Sequence, residues 1–146
     1  MDRADAALDN RDLAGLVSFY ADDAVVTTPD QGDLVGASAV RAYLDEFLTA
    51  FPDVRYEYGH RLESGNVAID EGFIVGTHTG PLTLATGEIQ EPTGRRIRVR
   101  TCDVAEVSGD RIVRHRFYFD QMDFLSQLDL LPVQQDAAQS MRDDTV

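Results

Sequence analysis

The sequence lacks most of the features that hold very small proteins together or attach proteins to membranes. It contains one cysteine, Cys102, and no tryptophan among 146 residues. A single thiol forms no internal disulfide and does not supply a four-ligand zinc set. There is no long apolar run, and the first residues have neither the basic region nor the apolar segment of a signal peptide. We therefore expect a cytoplasmic protein that folds around an ordinary hydrophobic core.

Basic residues are also scarce. Lysine and arginine total 13 against 26 aspartate and glutamate residues, which gives a formal net charge of −13. A field of this sign repels phosphate polymers and anionic membranes, so neither a nucleic acid nor a membrane is expected as a partner. The exception is the segment Arg95–Arg100, where four arginines lie among apolar residues. We interpret this segment as the solvated face of a strand.

The chain reads as one domain followed by a tail. Residues 1–132 contain no repeat, low-complexity block or long linker, and their length suits a single core. Residues 133–146 are polar and carry little apolar periodicity. We expect that segment to be a flexible C-terminal tail.

The apolar periodicity changes along the chain from that of helices to that of strands. Residues 13–20 and 40–51 carry apolar side chains at helical spacing, and Pro52 ends the second of these segments. From residue 54 onward the period is two, with predicted hairpins over 54–75 and 96–119. Helices first and an antiparallel meander second predict an α+β fold, in which a curved, mainly antiparallel sheet wraps the long helix.

Three polar residues interrupt the apolar alternation of the predicted strands. Glu71 lies on the otherwise apolar alternation from Val67 to Val75, and Thr101 and Asp103 lie on that from Ile97 to Val107. A buried polar group requires a partner, a solvent channel or a function. These residues are therefore candidates for a functional pocket.

The role of Asp103 depends on how the last two predicted strands pair. A two-residue turn at Gly109–Asp110 would place Asp103 opposite Arg116 and Thr101 opposite Tyr118, whereas a bulge would shift that register. Asp103 is then either one half of a salt bridge to Arg116 or a polar group of the pocket.

Glu71 and Asp120 also have both a structural and a functional interpretation. Glu71 could pair with an arginine of Arg95–Arg100. Asp120 follows the aromatic run Phe117–Phe119, where an apolar wall would raise its pKa by desolvation and suit it to proton transfer. It also stands where the N-cap of a following helix belongs, and the two roles are compatible.

The three histidines match no zinc-binding spacing, and the chain has no glycine-rich phosphate loop or serine nucleophile elbow. We therefore expect no metal and no organic cofactor. His78 precedes Gly80 and Pro81 at the predicted end of a strand, where it could line the mouth of a pocket. His60 and His115 lie within predicted strands.

The order of the elements and the segment Asp120–Leu128 resemble the SnoaL-like polyketide cyclases of the NTF2-like superfamily, which also contains ketosteroid isomerase and limonene epoxide hydrolase. Leu8–Leu13 and Phe19–Val26 add to the resemblance, which covers about residues 4–132. It implies a conical fold around an apolar pocket, with an aspartate at Asp120 as general acid/base. It also implies ring closure by intramolecular aldol condensation without a cofactor, and a homodimer that pairs through the outer face of the sheet.

The sequence and this resemblance together suggest a cyclase or isomerase acting on a small apolar carbonyl compound. Asp120 and Asp103 are the predicted catalytic residues, with His78, Thr101 or Tyr118 holding the enolate oxygen. One alternative is water addition, as in epoxide hydrolysis, with Glu71 sharing the acid/base work; another is non-catalytic binding of a small molecule. The predicted ligand-binding residues are Glu71, His78, Thr101, Tyr118, Tyr56, Phe47 and Phe19.

Overall fold

A computed structural model describes residues 2–131, without the side chains of residues 2–5 and 58. The predicted tail at 133–146 lies outside the described residues. The helices are α1 (Asp2–Asp9), α2 (Leu13–Val17), α3 (Ala37–Ala50) and α4 (Gln121–Gln127). The strands are β1 (Tyr20–Thr28), β2 (Gly32–Val35), β3 (Arg55–Ser64), β4 (Val67–Thr77), β5 (Leu82–Thr83), β6 (Ile89–Gln90), β7 (Arg96–Ser108) and β8 (Arg111–Phe119).

Six strands form one sheet in the order β2-β1-β8-β7-β4-β3. Every neighbouring pair is antiparallel except β1 and β8, which run parallel. The predicted α+β class and the mainly antiparallel sheet are confirmed. Strands β5 and β6 form a separate hairpin in the segment between β4 and β7. Within residues 2–131, no helix is long and apolar enough to cross a membrane.

Helix α3 packs across the sheet through its apolar stripe. Val40 and Ala50 are buried, and Phe47 packs against the core cluster around Phe51. The helix ends where the N–H of Phe51 donates to the carbonyl of Phe47 at 2.9 Å, because Pro52 cannot continue it. The predicted long helix is confirmed.

Tyr20 belongs to a strand, although its spacing predicted a place on a helix. Helix α2 ends at Val17 and is capped by Asp12, whose carboxylate accepts the N–H of Gly15 at 2.9 Å. The chain then turns, and the N–H of Ile112 donates to the carbonyl of Phe19 at 2.7 Å, so β1 is joined to β8 from its start. As a result the Tyr20 side chain is buried beneath the sheet.

The alternation of β4 is opposite to the one predicted. Ala68 and Asp70 are buried on the inner face, whereas Glu71 is exposed. The outer face of β4 is itself partly apolar, since it carries Phe73. The Arg98 guanidinium covers the Phe73 ring at 3.7 Å from its centre, so the ring is shielded from solvent without lying in the core. Apolar spacing alone therefore pointed to the wrong face, and the predicted place of Glu71 in the pocket is corrected.

The pairing of β7 with β8 is also shifted from the predicted register. Asp103 is opposite Phe117 rather than Arg116, because the ladder slips by one residue between Glu106 and Val107. A bulge of this kind adds a residue to one strand and changes which side chains face each other. The salt bridge expected between Asp103 and Arg116 does not form, and the Arg116 guanidinium instead contacts the Glu106 carboxylate at 3.2 Å.

The same shift changes the position of Thr101 and of the residues around it. Thr101 is opposite Phe119 rather than Tyr118. Tyr118 is 53% exposed, whereas His115 is buried on the inner side of β8. The shifted register therefore brings His115, which the sequence analysis left without a role, towards Asp103.

Candidate active site

A cavity of about 170 Å³ lies between α3 and the inner face of the sheet. Most of its wall is apolar, with α1, α2 and α3 contributing leucines and β8 contributing Phe117 and Phe119. Such a cavity, with a few convergent polar groups, is the usual form of a small-molecule site. Its main polar lining residues are Tyr20, Tyr56, Asp70, Thr101, Asp103 and His115.

Asp103, His115 and Tyr20 form a buried hydrogen-bonded chain along the wall. The Asp103 Oδ2 atom lies 2.6 Å from His115 Nε2, and His115 Nδ1 lies 2.8 Å from Tyr20 Oη. Burial, and secondly the negative charge of Asp103, raise the pKa of Tyr20, so its hydroxyl keeps its proton and is able to donate to Nδ1. The Asp103 carboxylate can only accept, so the Nε2–H of His115 donates to it and holds one of its oxygens.

Local packing orients the His115 ring. Ala105 is opposite it on β7, and this small residue leaves room for the imidazole. The ring stacks on Tyr20 at a centroid distance of 5.8 Å and lies 4.2 Å from the ring of Phe117. Contact with these two rings restricts the imidazole to the orientation that reaches Asp103.

Tyr56 reaches the other oxygen of Asp103, and Thr101 in turn bonds to Tyr56. The Thr101 hydroxyl donates to Tyr56 Oη at 3.0 Å, and Tyr56 Oη donates to Asp103 Oδ1 over a longer 3.4 Å. Burial is the main cause that raises the pKa of Tyr56; the Thr101 hydrogen bond lowers it, and the charges of Asp103 and Asp70 raise it further. The phenol therefore stays protonated and is a hydrogen-bond donor inside the cavity.

Gly72 makes room for Tyr56. A Cβ atom at Gly72 would lie 3.0 Å from Tyr56 Cε1 and 2.1 Å from the carbonyl oxygen of Glu57. Any side chain at this position would push the Tyr56 ring away from Thr101 and Asp103. Glycine at residue 72 is therefore required for the observed position of the Tyr56 ring.

Asp70 is a second carboxylate in the cavity wall, and the sequence analysis missed it. It is 1% exposed, it is opposite Asp103 in the pairing of β4 with β7, and its Oδ1 lies 2.6 Å from Arg61 Nε. Each buried carboxylate thus has its own basic partner, as buried charges require. The signal in the sequence was a strand face made of small and acidic residues, which suits the wall of a cavity better than a filled core.

Asp120 lies outside this cavity. It is exposed and begins α4, where its Oδ1 accepts the N–H groups of Met122 at 2.9 Å and Asp123 at 3.1 Å. The predicted N-cap is confirmed. The predicted desolvation is not found, because the chain turns into α4 after Phe119 and leaves Asp120 facing solvent.

His78 is fully buried but is not among the lining residues of the cavity. Its Nδ1 accepts the backbone N–H of Thr93 at 3.1 Å and lies 2.9 Å from the Thr93 hydroxyl oxygen. Its ring packs on Phe51 at a centroid distance of 5.4 Å, and burial lowers its pKa. A neutral His78 therefore ties the segment before β7 to the core and does not line the mouth of the pocket.

The remaining predicted ligand-binding residues divide between the cavity and other parts of the fold. Phe47, Tyr56 and Thr101 line the cavity together with Asp103. Tyr118 borders it, although its side chain is largely exposed. Phe19 packs in the cluster around Tyr20, and it lies outside the cavity lining, as does Glu71.

The groups in this wall are suited to proton transfer. A carboxylate with one oxygen held by an imidazole, and a protonated phenol beside its other oxygen, supply a base and a hydrogen-bond donor in an apolar space. Among the described residues, no group of three or more histidine, cysteine, aspartate or glutamate side chains is arranged to hold a metal ion.

The family model that matches the chain is described as SnoaL-like polyketide cyclase, and the match covers residues 1–128. No curated protein matches the chain by sequence.

Several solved structures are similar to this fold. TsrD from Streptomyces laurentii is 20% identical, with a TM-score of 0.74 over 90% of this chain and 92% of the other. IdmH from Streptomyces antibioticus, named as a candidate polyketide cyclase, is 23% identical, with a TM-score of 0.72 over 88% and 94%. A protein with a ketosteroid isomerase-like fold from Catenulispora acidiphila is 15% identical, with a TM-score of 0.71 over 89% and 92%. At these identities the similarity establishes the fold.

Proposed function

The chain belongs to the SnoaL-like polyketide cyclase family, and from this premise we propose that it is an acid/base enzyme of cyclase or isomerase type. Its substrate is a small, largely apolar carbonyl compound, and the reaction uses no metal or organic cofactor. The observation that carries the proposal is the Asp103 carboxylate, which lies in an apolar cavity with His115 on one oxygen and Tyr56 beside the other.

The first step is removal of a proton from the carbon next to the substrate carbonyl. Asp103 Oδ1 is the base, since Oδ2 is held by His115 at 2.6 Å while the bond from Tyr56 to Oδ1 is long and readily exchanged. The electron pair of the broken C–H bond moves to the carbonyl oxygen and gives an enolate. In a cyclase the enolate carbon then attacks a second carbonyl of the same molecule, and the oxygen of that carbonyl takes the proton from Asp103. In an isomerase Asp103 returns the proton to a different carbon of a conjugated enolate.

The enolate oxygen requires a donor, and Tyr56 is placed to be one. Its hydroxyl accepts from Thr101 at 3.0 Å, and this bond polarises the phenolic O–H towards a substrate oxygen. A fixed donor in a low-dielectric cavity stabilises developing negative charge more than water does. Thr101 acts through Tyr56 and is therefore a positioning residue.

We assign the base to Asp103 rather than to Asp120. Asp103 lines the cavity, whereas Asp120 is exposed and uses its Oδ1 to cap α4. Asp120 is therefore a matched control for Asp103, because Asp120→Asn removes a carboxylate of the same type outside the cavity.

The test is deuterium exchange at the carbon next to the carbonyl of 2-tetralone, a small apolar ketone, followed by proton NMR in D₂O. We expect the wild-type protein to accelerate exchange. General base catalysis typically contributes about 10²–10⁴-fold, so Asp103→Asn is expected to lower the rate by at least about 100-fold, and Asp120→Asn by less than about threefold. Circular dichroism shows whether each variant is folded.

Three results would contradict the proposal or redirect it. Exchange that is unchanged in a folded Asp103→Asn variant removes Asp103 as the base. Loss of exchange in Asp120→Asn alone returns the base to the position that the family resemblance implied. Binding of 2-tetralone without any acceleration of exchange favours a non-catalytic binding protein.

A second reaction, the addition of water to an epoxide, is favoured by one specific observation. Asp70 and Asp103 lie opposite each other in the same wall, and Arg61 balances the charge of Asp70 at 2.6 Å. Both carboxylates have a partner, Asp70 in Arg61 and Asp103 in His115. Asp103 can take a proton from a water molecule as the water attacks the epoxide carbon, and can then return that proton to the oxygen of the opened ring. Incubation with an apolar epoxide such as styrene oxide in H₂¹⁸O separates the two reactions, since only hydrolysis places ¹⁸O in a diol product.

We also propose a homodimer that pairs through the outer face of the sheet. That face carries the exposed Leu62 and Tyr118, and the exposed Arg98 and Arg100 of β7. Arginine and tyrosine are enriched at protein interfaces. Light scattering during gel filtration measures the mass: the wild type is expected to be dimeric, and Arg98→Glu with Arg100→Glu monomeric. A monomeric wild type would contradict the proposal.

A further inference from the structure

A second, smaller chamber of about 50 Å³ adjoins the cavity that contains Asp103. The two spaces share part of their walls, so a long molecule that fills the larger one extends towards the smaller one. The small chamber is also bordered by Asp30, Glu46 and Gln121. The shared residues are Tyr43, Phe47, Ile74, Thr101 and Phe119.

Gln121 presents an unpaired acceptor in this chamber. Its Oε1 atom is buried and has no hydrogen-bond partner among the residues that the structure describes. A buried polar atom without a partner is costly, and in native proteins such atoms call for an explanation. Gln121 is the first residue of α4, whose start is fixed by the Asp120 cap, so the side chain is held beside the chamber.

The charge around the small chamber selects against anions. Asp30 accepts the Tyr43 hydroxyl at 3.1 Å, and Glu46 adds a second carboxylate to the same wall. Among the described residues, the lining contains no arginine, lysine or histidine. A ligand carboxylate would meet two like charges and no counter-ion, whereas a neutral hydroxyl can donate to an acceptor there.

The polar groups of the two chambers have different chemistry. The large chamber offers Tyr56 as a donor for a carbonyl oxygen, and the small chamber offers Gln121 as an acceptor for a hydroxyl proton. A molecule that satisfies both is elongated and neutral, with a carbonyl at one end and a hydroxyl at the other.

We propose that the small chamber is a specificity subsite for a hydroxyl group at the far end of an elongated neutral substrate, and that Gln121 is the residue that recognises it. This inference rests on the proposed function, because it takes the substrate carbonyl to lie beside Asp103 and Tyr56. A hydroxyl both donates and accepts, so it pairs with the Gln121 amide in either orientation of that group.

The test uses three ketones that differ at one position: 2-tetralone, 6-hydroxy-2-tetralone and 6-carboxy-2-tetralone. Their dissociation constants are measured by titration calorimetry. A buried unpaired acceptor typically costs enough to change affinity by about tenfold or more, so the wild type is expected to bind the hydroxy ketone at least about tenfold more tightly than 2-tetralone. The carboxy ketone is expected to bind most weakly of the three.

The Gln121→Met variant identifies the residue responsible. It keeps the length of the side chain but removes the amide, so the preference for the hydroxy ketone is expected to fall to within about twofold of parity, with little change in 2-tetralone binding. Gln90→Met, the same change in β6 outside both chambers, is expected to keep the full preference. Thermal melts of both variants show whether the fold is retained.

Two outcomes would overturn the inference. One is a wild-type protein that binds the hydroxy ketone and 2-tetralone equally. The other is a folded Gln121→Met variant that keeps the preference. Since binding is read without turnover, Asp103→Asn separates the two proposals: if exchange is unaffected by that change while the hydroxyl preference persists, the assignment of the base fails and the subsite stands.

Discussion

Asp103 and Asp120 are two aspartates that the sequence marked for the same chemistry, and the fold places them in opposite environments. Asp103 lies in the cavity wall and is held by His115. Asp120 is exposed at the corner between β8 and α4, where it accepts backbone N–H groups. A neighbouring aromatic run does not determine which way an aspartate faces; the strand register and the turn that follows determine it.

The two buried histidines extend the comparison. His115 bonds to the side chains of Asp103 and Tyr20 and borders empty space. His78 accepts a backbone N–H from Thr93 and packs in the core. In the cavity wall, polar side chains bond to one another and leave a face open to a ligand, whereas Asp120 and His78 Nδ1 accept backbone N–H groups and hold segments in place.

The largest effect on stability is expected from His115→Leu, which leaves the Asp103 charge buried without its partner. Breaking a buried pair in this way typically costs about 3–5 kcal/mol of unfolding free energy. Urea unfolding followed by circular dichroism measures the loss. The double variant His115→Leu with Asp103→Leu is expected to be more stable than the single one, because no unpaired charge remains. A single variant within about 1 kcal/mol of the wild type would show that the pair is not buried as described.

A smaller effect, which depends on pH, is expected from His78. Burial lowers the pKa of His78 in the folded protein below the ordinary value of about 6.5. Between the two pKa values the unfolded chain therefore binds more protons at His78 than the folded protein does. The contribution of His78 to stability is therefore complete above about pH 6.5 and is lost as the pH falls towards the lowered value, by at most about 1.4 kcal/mol per pH unit.

Urea unfolding at several pH values between about 5 and 7 measures this slope. We expect His78→Gln to be less dependent on pH than the wild type over that range, since its side chain does not titrate. His60→Gln, at an exposed position on β3, is the control and should keep the wild-type slope. An identical slope in the wild type and His78→Gln would rule out a lowered pKa at His78.

The smallest effect is expected from Asp120→Ala. Loss of an N-cap typically costs about 1 kcal/mol, because the N–H groups of Met122 and Asp123 lose their acceptor. Thermal unfolding gives the change in stability, and the exchange of 2-tetralone protons is expected to stay near the wild-type rate. A stability equal to that of the wild type would mean that the cap contributes nothing to the start of α4.

Periodicity was enough to predict the class of fold. The structure contains the expected apolar stripe of α3 and the expected strands from residue 55 onward. It also contains the expected helix that begins after the N-cap Asp120. The burial of Thr101 and Asp103 on one face of β7 is also confirmed. These features depend on local spacing, which a sequence shows directly.

The arrangement of the cavity wall depended on features that local spacing does not show. One bulge after Glu106 shifted the partner of Asp103, and the inner face of β4 carries Asp70 and Gly72 instead of large apolar residues. A wall that borders empty space does not need to be filled, so small or polar residues can occupy it, and Ile74 is the large apolar residue of β4 that lines the cavity. Tyr20 was missed because its helical spacing continues past the end of α2.

The most direct test of the central claim is a crystal structure with 2-naphthol, a planar and stable mimic of the enol of 2-tetralone. We expect its oxygen to lie within hydrogen-bond distance of Tyr56 Oη, with the neighbouring ring carbon facing Asp103 Oδ1. A 2-naphthol molecule bound against Asp120, with the cavity beside Asp103 and His115 left without ligand, would contradict the assignment of the reaction to this wall.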